Sequence, residues 1–160
     1  MAYKGKYTPK NPRKYNGDSS KIIYRSLWER KYMVHCDTDP NIVKWSSEEV
    51  VIPYRCDTDM KMHRYYMDFW VRYSKPDPHG YLEALIEVKP YAQTQDPLTF
   101  NTKNPFSKTK KAKKKTKRIL RESYTYVKNM SKWRAALKYC KKRNWRFIIL
   151  TEYGLGLKKR

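Results

Sequence analysis

Near the middle of the chain, Asp68, Glu87 and Lys89 have the types and spacing to act together on a phosphodiester. In the stretch Tyr81–Pro90, read at the two-residue period of a strand, Leu82, Ala84, Ile86 and Val88 point one way. Tyr81, Glu83, Leu85, Glu87 and Lys89 point the other. A carboxylate and an ammonium therefore sit side by side at the end of an apolar strand, where Pro90 stops the ladder. A carboxylate is a hard oxygen ligand for Mg²⁺, and a neighbouring cation can hold an attacking water or steady the charge on phosphorus. Asp68 lies between Met67 and Phe69, an apolar setting in which an unpaired carboxylate is costly. If the two strands are neighbours, Asp68 and Glu87 converge on one divalent ion, whose other positions take waters and phosphate oxygens. Spacing alone leaves the plainer alternative open, in which Asp68 ends a strand and Glu87 and Lys89 form a surface ion pair. Glu83 faces the same way but lies roughly 13 Å down the strand, too far to share the ion.

Those residues need elements to carry them. Asp18-Ser19-Ser20 is a helix-start signal, and the stretch to about Cys36 puts Ile23, Leu27 and Val34 on one helical face with Trp28 beside them. Asp39-Pro40 ends that helix. Glu49–Tyr54 reads as a short strand, Met62–Tyr73 as a longer one carrying Asp68, and Tyr81–Lys89 as the third of an antiparallel meander. A long helix is expected from about Ile119 to Asn144, with Tyr126, Met130, Trp133, Leu137 and Cys140 at helical spacing. Trp145–Glu152 follows as a buried strand. Trp28, Trp70 and Trp133 are assigned to the core.

Thirty-seven Lys and Arg against fifteen Asp and Glu leave a net charge of +22, which implies a polyanionic partner, nucleic acid first. No apolar run approaches the roughly 18 residues of a membrane span, so no membrane is expected, and the basic opening lacks a signal-peptide core. Residues 1–17 read as a mobile basic arm, and 18–160 as one domain with a basic insertion at about 96–118. That insertion holds Lys103, Lys108, Lys110, Lys111, Lys113, Lys114, Lys115, Lys117 and Arg118 without one acidic residue between them. They are expected to contact phosphates, adding affinity without sequence choice. Gln93 and Gln95 are assigned to loop solvation. Cys36, Cys56 and Cys140 read as reduced thiols. His35, Cys36, Cys56 and His63 lack the local spacing that preorganises a zinc site.

The flanking text carries a resemblance. Ser26-Leu-Trp-Glu-Arg30, Asp39-Pro40-Asn41, Trp45-Ser-Ser-Glu-Glu49, Ile52-Pro53-Tyr54, His63-Arg-Tyr-Tyr66 and Glu87-Val-Lys-Pro90 together resemble the TnsA-like branch of the PD-(D/E)xK nucleases. Within that branch the similarity is to the head-completion nucleases of tailed phages, over about residues 20–95 and more weakly the last strand. It implies an α/β fold, with a mixed sheet of about four strands flanked by two main helices. It also implies Glu29 as the helix glutamate, Asp68 and Glu87 as metal ligands, and Lys89 as the catalytic lysine. Mg²⁺ is the implied cofactor, with Mn²⁺ substituting, and the substrate is double-stranded DNA, acted on at its ends during head completion. Capsid or portal proteins are the implied partners, in the host cytoplasm during assembly and at the head–tail vertex of the virion. Met67 departs from the motif, which has proline there. The rival expectations are a non-catalytic DNA-binding protein of the virion and an RNA-binding protein.

Overall fold

Alternating apolar and polar residues between Ile42 and Val88 build the strands, and a computed structural model describes residues 3–100 and 110–159, with backbone only at 100 and 110–115. The chain opens with β1 (Gly5–Lys6), a 3₁₀ turn at Pro12–Lys14, and β2 (Ile23–Tyr24). Next come α1 (Leu27–Thr38), β3 (Ile42–Ser47), β4 (Val51–Arg55), β5 (Met62–Tyr66), β6 (Phe69–Tyr73) and β7 (Glu83–Val88). A 3₁₀ turn at Tyr91–Thr94, α2 (Pro97–Phe100), α3 (Lys110–Lys141) and β8 (Arg146–Leu150) follow.

The central sheet has the order β3-β6-β7-β8. The pairs β3/β6 and β6/β7 are antiparallel, while β7/β8 is parallel and so requires a crossover, within which α3 lies. The sheet is mixed and flanked by helices, as expected. Ala84, Ile86 and Val88 of β7 face a core shared with Tyr32, Met33 and Cys36 of α1, while Leu85 faces one shared with Ala136 and Cys140 of α3. A strand covered on both faces puts its odd-numbered polar residue, Glu87, deep under α3.

The expected long strand Met62–Tyr73 is bent in two. Ser47 pairs with Phe69 and Val51 with Tyr66, so Glu48, Glu49 and Val50 stand opposite only Met67 and Asp68. This one-residue bulge turns β4 and β5 out into a separate two-stranded sheet. The Met67 N–H donates to Val50 O (2.9 Å), and the Glu48 N–H donates to Met67 O (3.1 Å). Glu48 takes φ 57°, a left-handed conformation that costs a residue with a Cβ about 1–2 kcal/mol. Asp68 thus sits at the bend rather than mid-strand, and Met67 before it is fully buried.

Other expectations need correction. The first helix starts at Leu27, not near Ser20, because Ser26 caps it; Asp18-Ser19-Ser20 closes a local turn through Asp18 Oδ1 instead. Its buried face is Tyr32, Met33, Cys36 and Asp37, while Ile23, Leu27 and Val34 are exposed. Residues 3–17 are packed rather than a free arm: Tyr7 and Tyr15 are buried with Trp45. The anchor is Asp37, fully buried, which accepts the Lys10 N–H (2.7 Å), the Asn11 N–H (2.9 Å) and the Tyr7 hydroxyl (3.2 Å). The long helix begins at Lys110 rather than Ile119, since lysine and alanine are good helix formers without any apolar period. On it Trp133 and Cys140 are buried as expected, but Leu137 points outward and Ala136 takes the inward place. Trp28 and Trp70 are only partly buried. Among the described residues no helix is long and apolar enough to cross a membrane.

Candidate active site

The alternation of β7 delivers Glu87 to the α3 side of the sheet, where it is 1 % exposed. A buried carboxylate needs partners on both oxygens. Tyr65 on β5 donates its hydroxyl to Glu87 Oε2 at 2.6 Å, and Lys89 Nζ approaches Oε1 at 3.0 Å. The bend between β5 and β6 then aims Asp68 at the same place. Its Oδ2 accepts the Val88 N–H at 2.8 Å, tying it to the β7 backbone beside Glu87. No described residue donates to Asp68 Oδ1.

Electrostatics follow from this crowding. Enclosure, and then the neighbouring charge of Glu87, push the Asp68 carboxyl well above its ordinary range, against the Val88 N–H and Lys89. Burial works against the Lys89 ammonium, but the carboxylates of Glu87 and Asp68 outweigh it and hold its pKa above the usual lysine value. Burial and the adjoining Glu87 carboxylate push the Tyr65 hydroxyl far above the usual tyrosine range, so it stays a donor.

Glu29 approaches from the first turn of α1. Its carboxylate completes a capping arrangement with Ser26-Leu-Trp-Glu29: Ser26 Oγ accepts the Glu29 N–H (3.1 Å) and donates to Glu29 Oε1 (2.9 Å), and the Arg25 N–H donates to Oε2 (2.8 Å). Its charge still acts on both Asp68 and Lys89. Arg25 binds the bulge residue Glu48 through both Nε (2.6 Å) and Nη2 (3.0 Å), fastening the start of α1 to the bend that carries Asp68.

Sequence reasoning missed Lys132. From the middle of α3 its ammonium lies 5.1 Å from the centre of the Tyr65 ring, half-buried, within the field of Glu87, Lys89, Lys128 and Asp68. Burial, helped by the two other lysines, lowers its pKa despite the two carboxylates. Its one sequence signal is its place next to Trp133, a residue assigned to the core on the expected long helix.

The structure thus gathers Asp68, Glu87 and Lys89 around the end of β7, with Lys89 on Glu87 and Asp68 on the Val88 N–H between them, and Glu29 within reach of their field. Of the basic run, Lys103 and Lys108 lie outside the described residues. Lys110, Lys111, Lys113, Lys114 and Lys115 fall in the first turns of α3, their side chains outside the description. Lys117 and Arg118 are exposed on the same helix, Arg118 paired with Glu122 at 3.4 Å. Gln93 and Gln95, with Pro90, Arg118, Arg121 and Tyr126, line a groove of about 480 Å³ that starts one residue beyond Lys89. Glu83 is engaged elsewhere, accepting from Trp70 Nε1 at 2.9 Å.

Two enclosed carboxylates that repel one another, with Lys89 on one of them, are a donor set suited to a hard divalent cation. A family model described as "TnsA-like endonuclease N terminal" matches residues 39–152, which span the bulge, Asp68, Glu87, Lys89 and Lys132. The chain is also 44 % identical over 155 residues to the head completion nuclease of Enterobacteria phage T4, covering 97 % of this chain and 95 % of that protein. The Asp68–Glu87–Lys89 centre lies inside the matched region, and the chain belongs to the TnsA-like endonucleases, a family of nucleases.

Proposed function

We propose that this nuclease acts in phage head completion as a divalent-metal-dependent deoxyribonuclease of the PD-(D/E)xK type, hydrolysing phosphodiester bonds at the ends of packaged DNA. The observation that carries the reading is the pairing of Asp68 with Glu87 in one enclosed site, with Lys89 on Glu87 Oε1. Asp68 and Glu87 would hold the ion, Mg²⁺ with Mn²⁺ substituting. Bound there, it would neutralise charge on the phosphate and make water a stronger acid.

The chain's own groups do the rest. Lys89, kept protonated by the two carboxylates, donates to the attacking water and steers it toward phosphorus. Tyr65 fixes the carboxylate plane of Glu87. Val88 N–H fixes one oxygen of Asp68, leaving the other turned to the site. Lys132 steadies a non-bridging phosphate oxygen from the opposite wall. Glu29 acts from the edge of the site through its charge, while holding α1 in register. The groove beyond Pro90, with Arg118 and Arg121 on one wall and the glutamines on the other, receives the strand next to the cut. The exposed basic residues of α3 extend phosphate contact outward.

The test is nicking of supercoiled plasmid with Mg²⁺ or Mn²⁺, with EDTA, and with Asp68→Ala and Lys89→Ala in parallel. Metal-dependent nicking lost in both variants, with DNA binding retained, supports the reading. Plasmid binding without nicking by the parent protein would indicate a structural DNA binder instead, and undiminished nicking by both variants would place the centre elsewhere.

A further inference from the structure

The tip of the β4–β5 hairpin gathers three metal-ligating side chains that the carboxylate centre does not use. Tyr54 pairs with His63 across the hairpin, and Cys56, two residues on from Tyr54, shares that face. Asp59 closes the turn between the strands. One ligand atom from each of Cys56, Asp59 and His63 lies within 4.8 Å of the others. We propose that this hairpin tip is a second metal site, binding a borderline-soft transition ion of the Zn²⁺ type, separate from the hard-ion centre at Asp68 and Glu87.

The donor chemistry selects the ion. A thiolate sulfur, an imidazole nitrogen and one carboxylate oxygen match Zn²⁺ or Co²⁺ and mismatch Mg²⁺, which takes oxygen donors. Binding releases the Cys56 thiol proton, so a divalent ion raises the net charge of the chain by only one, and the thiolate and the Asp59 carboxylate balance the ion locally. Three protein ligands leave a fourth position to water.

The site is also built rather than casual. Backbone bonds from the Cys56 N–H to Lys61 O (2.9 Å) and from the Met60 N–H to Cys56 O (2.8 Å) fix the turn, with Met60 at φ 58°. Asp59 Oδ1 accepts the Lys61 N–H (3.0 Å), leaving Oδ2 turned toward His63 Nε2 at 2.7 Å. Cys56 is 1 % exposed, and Thr58 Oγ1 lies 3.0 Å from its sulfur, placed to donate to a thiolate. Ligands on one tetrahedral ion sit roughly 3.3 Å apart for bonds of about 2.0 Å. The Asp59–His63 pair therefore opens by about half an ångström, while the sulfur closes in. The tip is docked on α3 through the Asp57 N–H to Ser131 Oγ (3.1 Å) and an Asp57–Arg134 ion pair. An ion there would stiffen the hairpin tip that docks on the helix carrying Lys132. His63 lies on β5 and Asp68 beyond it at the bend, and the two donor sets have no residue in common.

Local spacing argued against zinc, and among the four residues considered there, His35 and Cys36 stay apart from this site: His35 pairs with Asp39 at 3.6 Å and Cys36 is buried in the other core. Convergence across the hairpin supplies what the spacing lacked.

The experiment loads metal-free full-length protein with Co²⁺ and reads the near-ultraviolet thiolate-to-cobalt band. Zn²⁺ retained after gel filtration is counted alongside it. One equivalent of tightly held metal, with the band lost in Cys56→Ser and in His63→Gln and kept in Asp68→Asn, is the expected result. If Cys56→Ser does not fold, His63→Gln and Asp59→Asn at the accessible rim decide by the same band. No retained zinc in the parent protein, or a band undiminished in the rim variants, overturns the proposal.

Discussion

Tyr65→Phe removes one hydroxyl from the centre and little else. The ring remains, so the contact with the Lys132 ammonium 5.1 Å away is largely kept. The lost interaction is the 2.6 Å hydrogen bond to Glu87 Oε2, made between a buried donor and a carboxylate that is 1 % exposed. Hydrogen bonds to charged groups contribute about 1.5–3 kcal/mol, and here the acceptor is left with no replacement. At about 2–4 °C per kcal/mol for a domain of this size, the melting temperature should fall by about 3–12 °C. A second background isolates the cause. In Glu87→Gln the acceptor is neutral and the same hydroxyl contributes only about 0.5–1.5 kcal/mol, so the further loss on adding Tyr65→Phe should be roughly half as large. Thermal melts of the four proteins in EDTA complete the cycle. A melting temperature for Tyr65→Phe within about 1 °C of the parent, or equal losses in both backgrounds, would refute the claim that this bond holds Glu87.

Asp68→Asn should make the metal-free protein more stable at neutral pH while abolishing cleavage. The Asp68 carboxyl is raised above its ordinary 3.8 by enclosure and by Glu87, so folding takes up a proton there. The stability this group contributes is present below its unfolded value and lost as pH rises through the raised folded value. The advantage of the variant in melts in EDTA should therefore widen from about pH 4 upward; an unchanged gap would contradict it. Lys132→Met should lower cleavage at saturating Mg²⁺ by about tenfold or more, the scale of one phosphate-directed donor in a water-poor site, with a melting temperature at or above the parent's because a half-buried charge is removed. Full activity in that variant would remove Lys132 from the site. Asp37→Ala breaks three hydrogen bonds that hold residues 7–11. Brief trypsin treatment should then clip the basic N-terminal stretch before the rest of the chain, an order that an equally resistant variant would disprove.

How much was legible depends on the range of the interactions involved. The face of β7 that carries Glu87 and Lys89 is set by a two-residue period, and could be read directly. The bend at Asp68 could not, because Met67 looks like any strand residue and the extra residue that makes the bulge lies on the partner strand, at Glu48. A glycine there would have announced the left-handed position. The start of α1 was within reach, since Ser26-Leu-Trp-Glu29 is a capping-box pattern, but Asp18-Ser19-Ser20 offered an earlier and more familiar signal. Residues 3–17 look like a tail by charge, and it takes Trp45 and the buried Asp37, both more than twenty residues on, to make them part of the fold. Lys132 and the Cys56–His63 approach depend on contacts that no local window contains.

The parallel pairing of β7 with β8 also sets when the centre can form. Lys89 N–H donates to Leu150 O (3.0 Å), Glu87 lies opposite Ile149, and Tyr91 N–H is held by Glu152 Oε2 (2.7 Å). The segment bearing the Lys89 ammonium is therefore clamped by residues some sixty positions later, beyond the whole of α3 in the chain. The pairs β3/β6 and β6/β7 are nearer in sequence and can close early, whereas this long-range closure is slow. A partly folded chain then holds Asp68 and Glu87 on neighbouring strands, but with the β7 edge open and neither the Lys132 wall nor the Lys89 clamp in place. On the roles proposed for Lys89 and Lys132, cleavage would wait for this closure, which would keep the nuclease inactive until its own fold is complete.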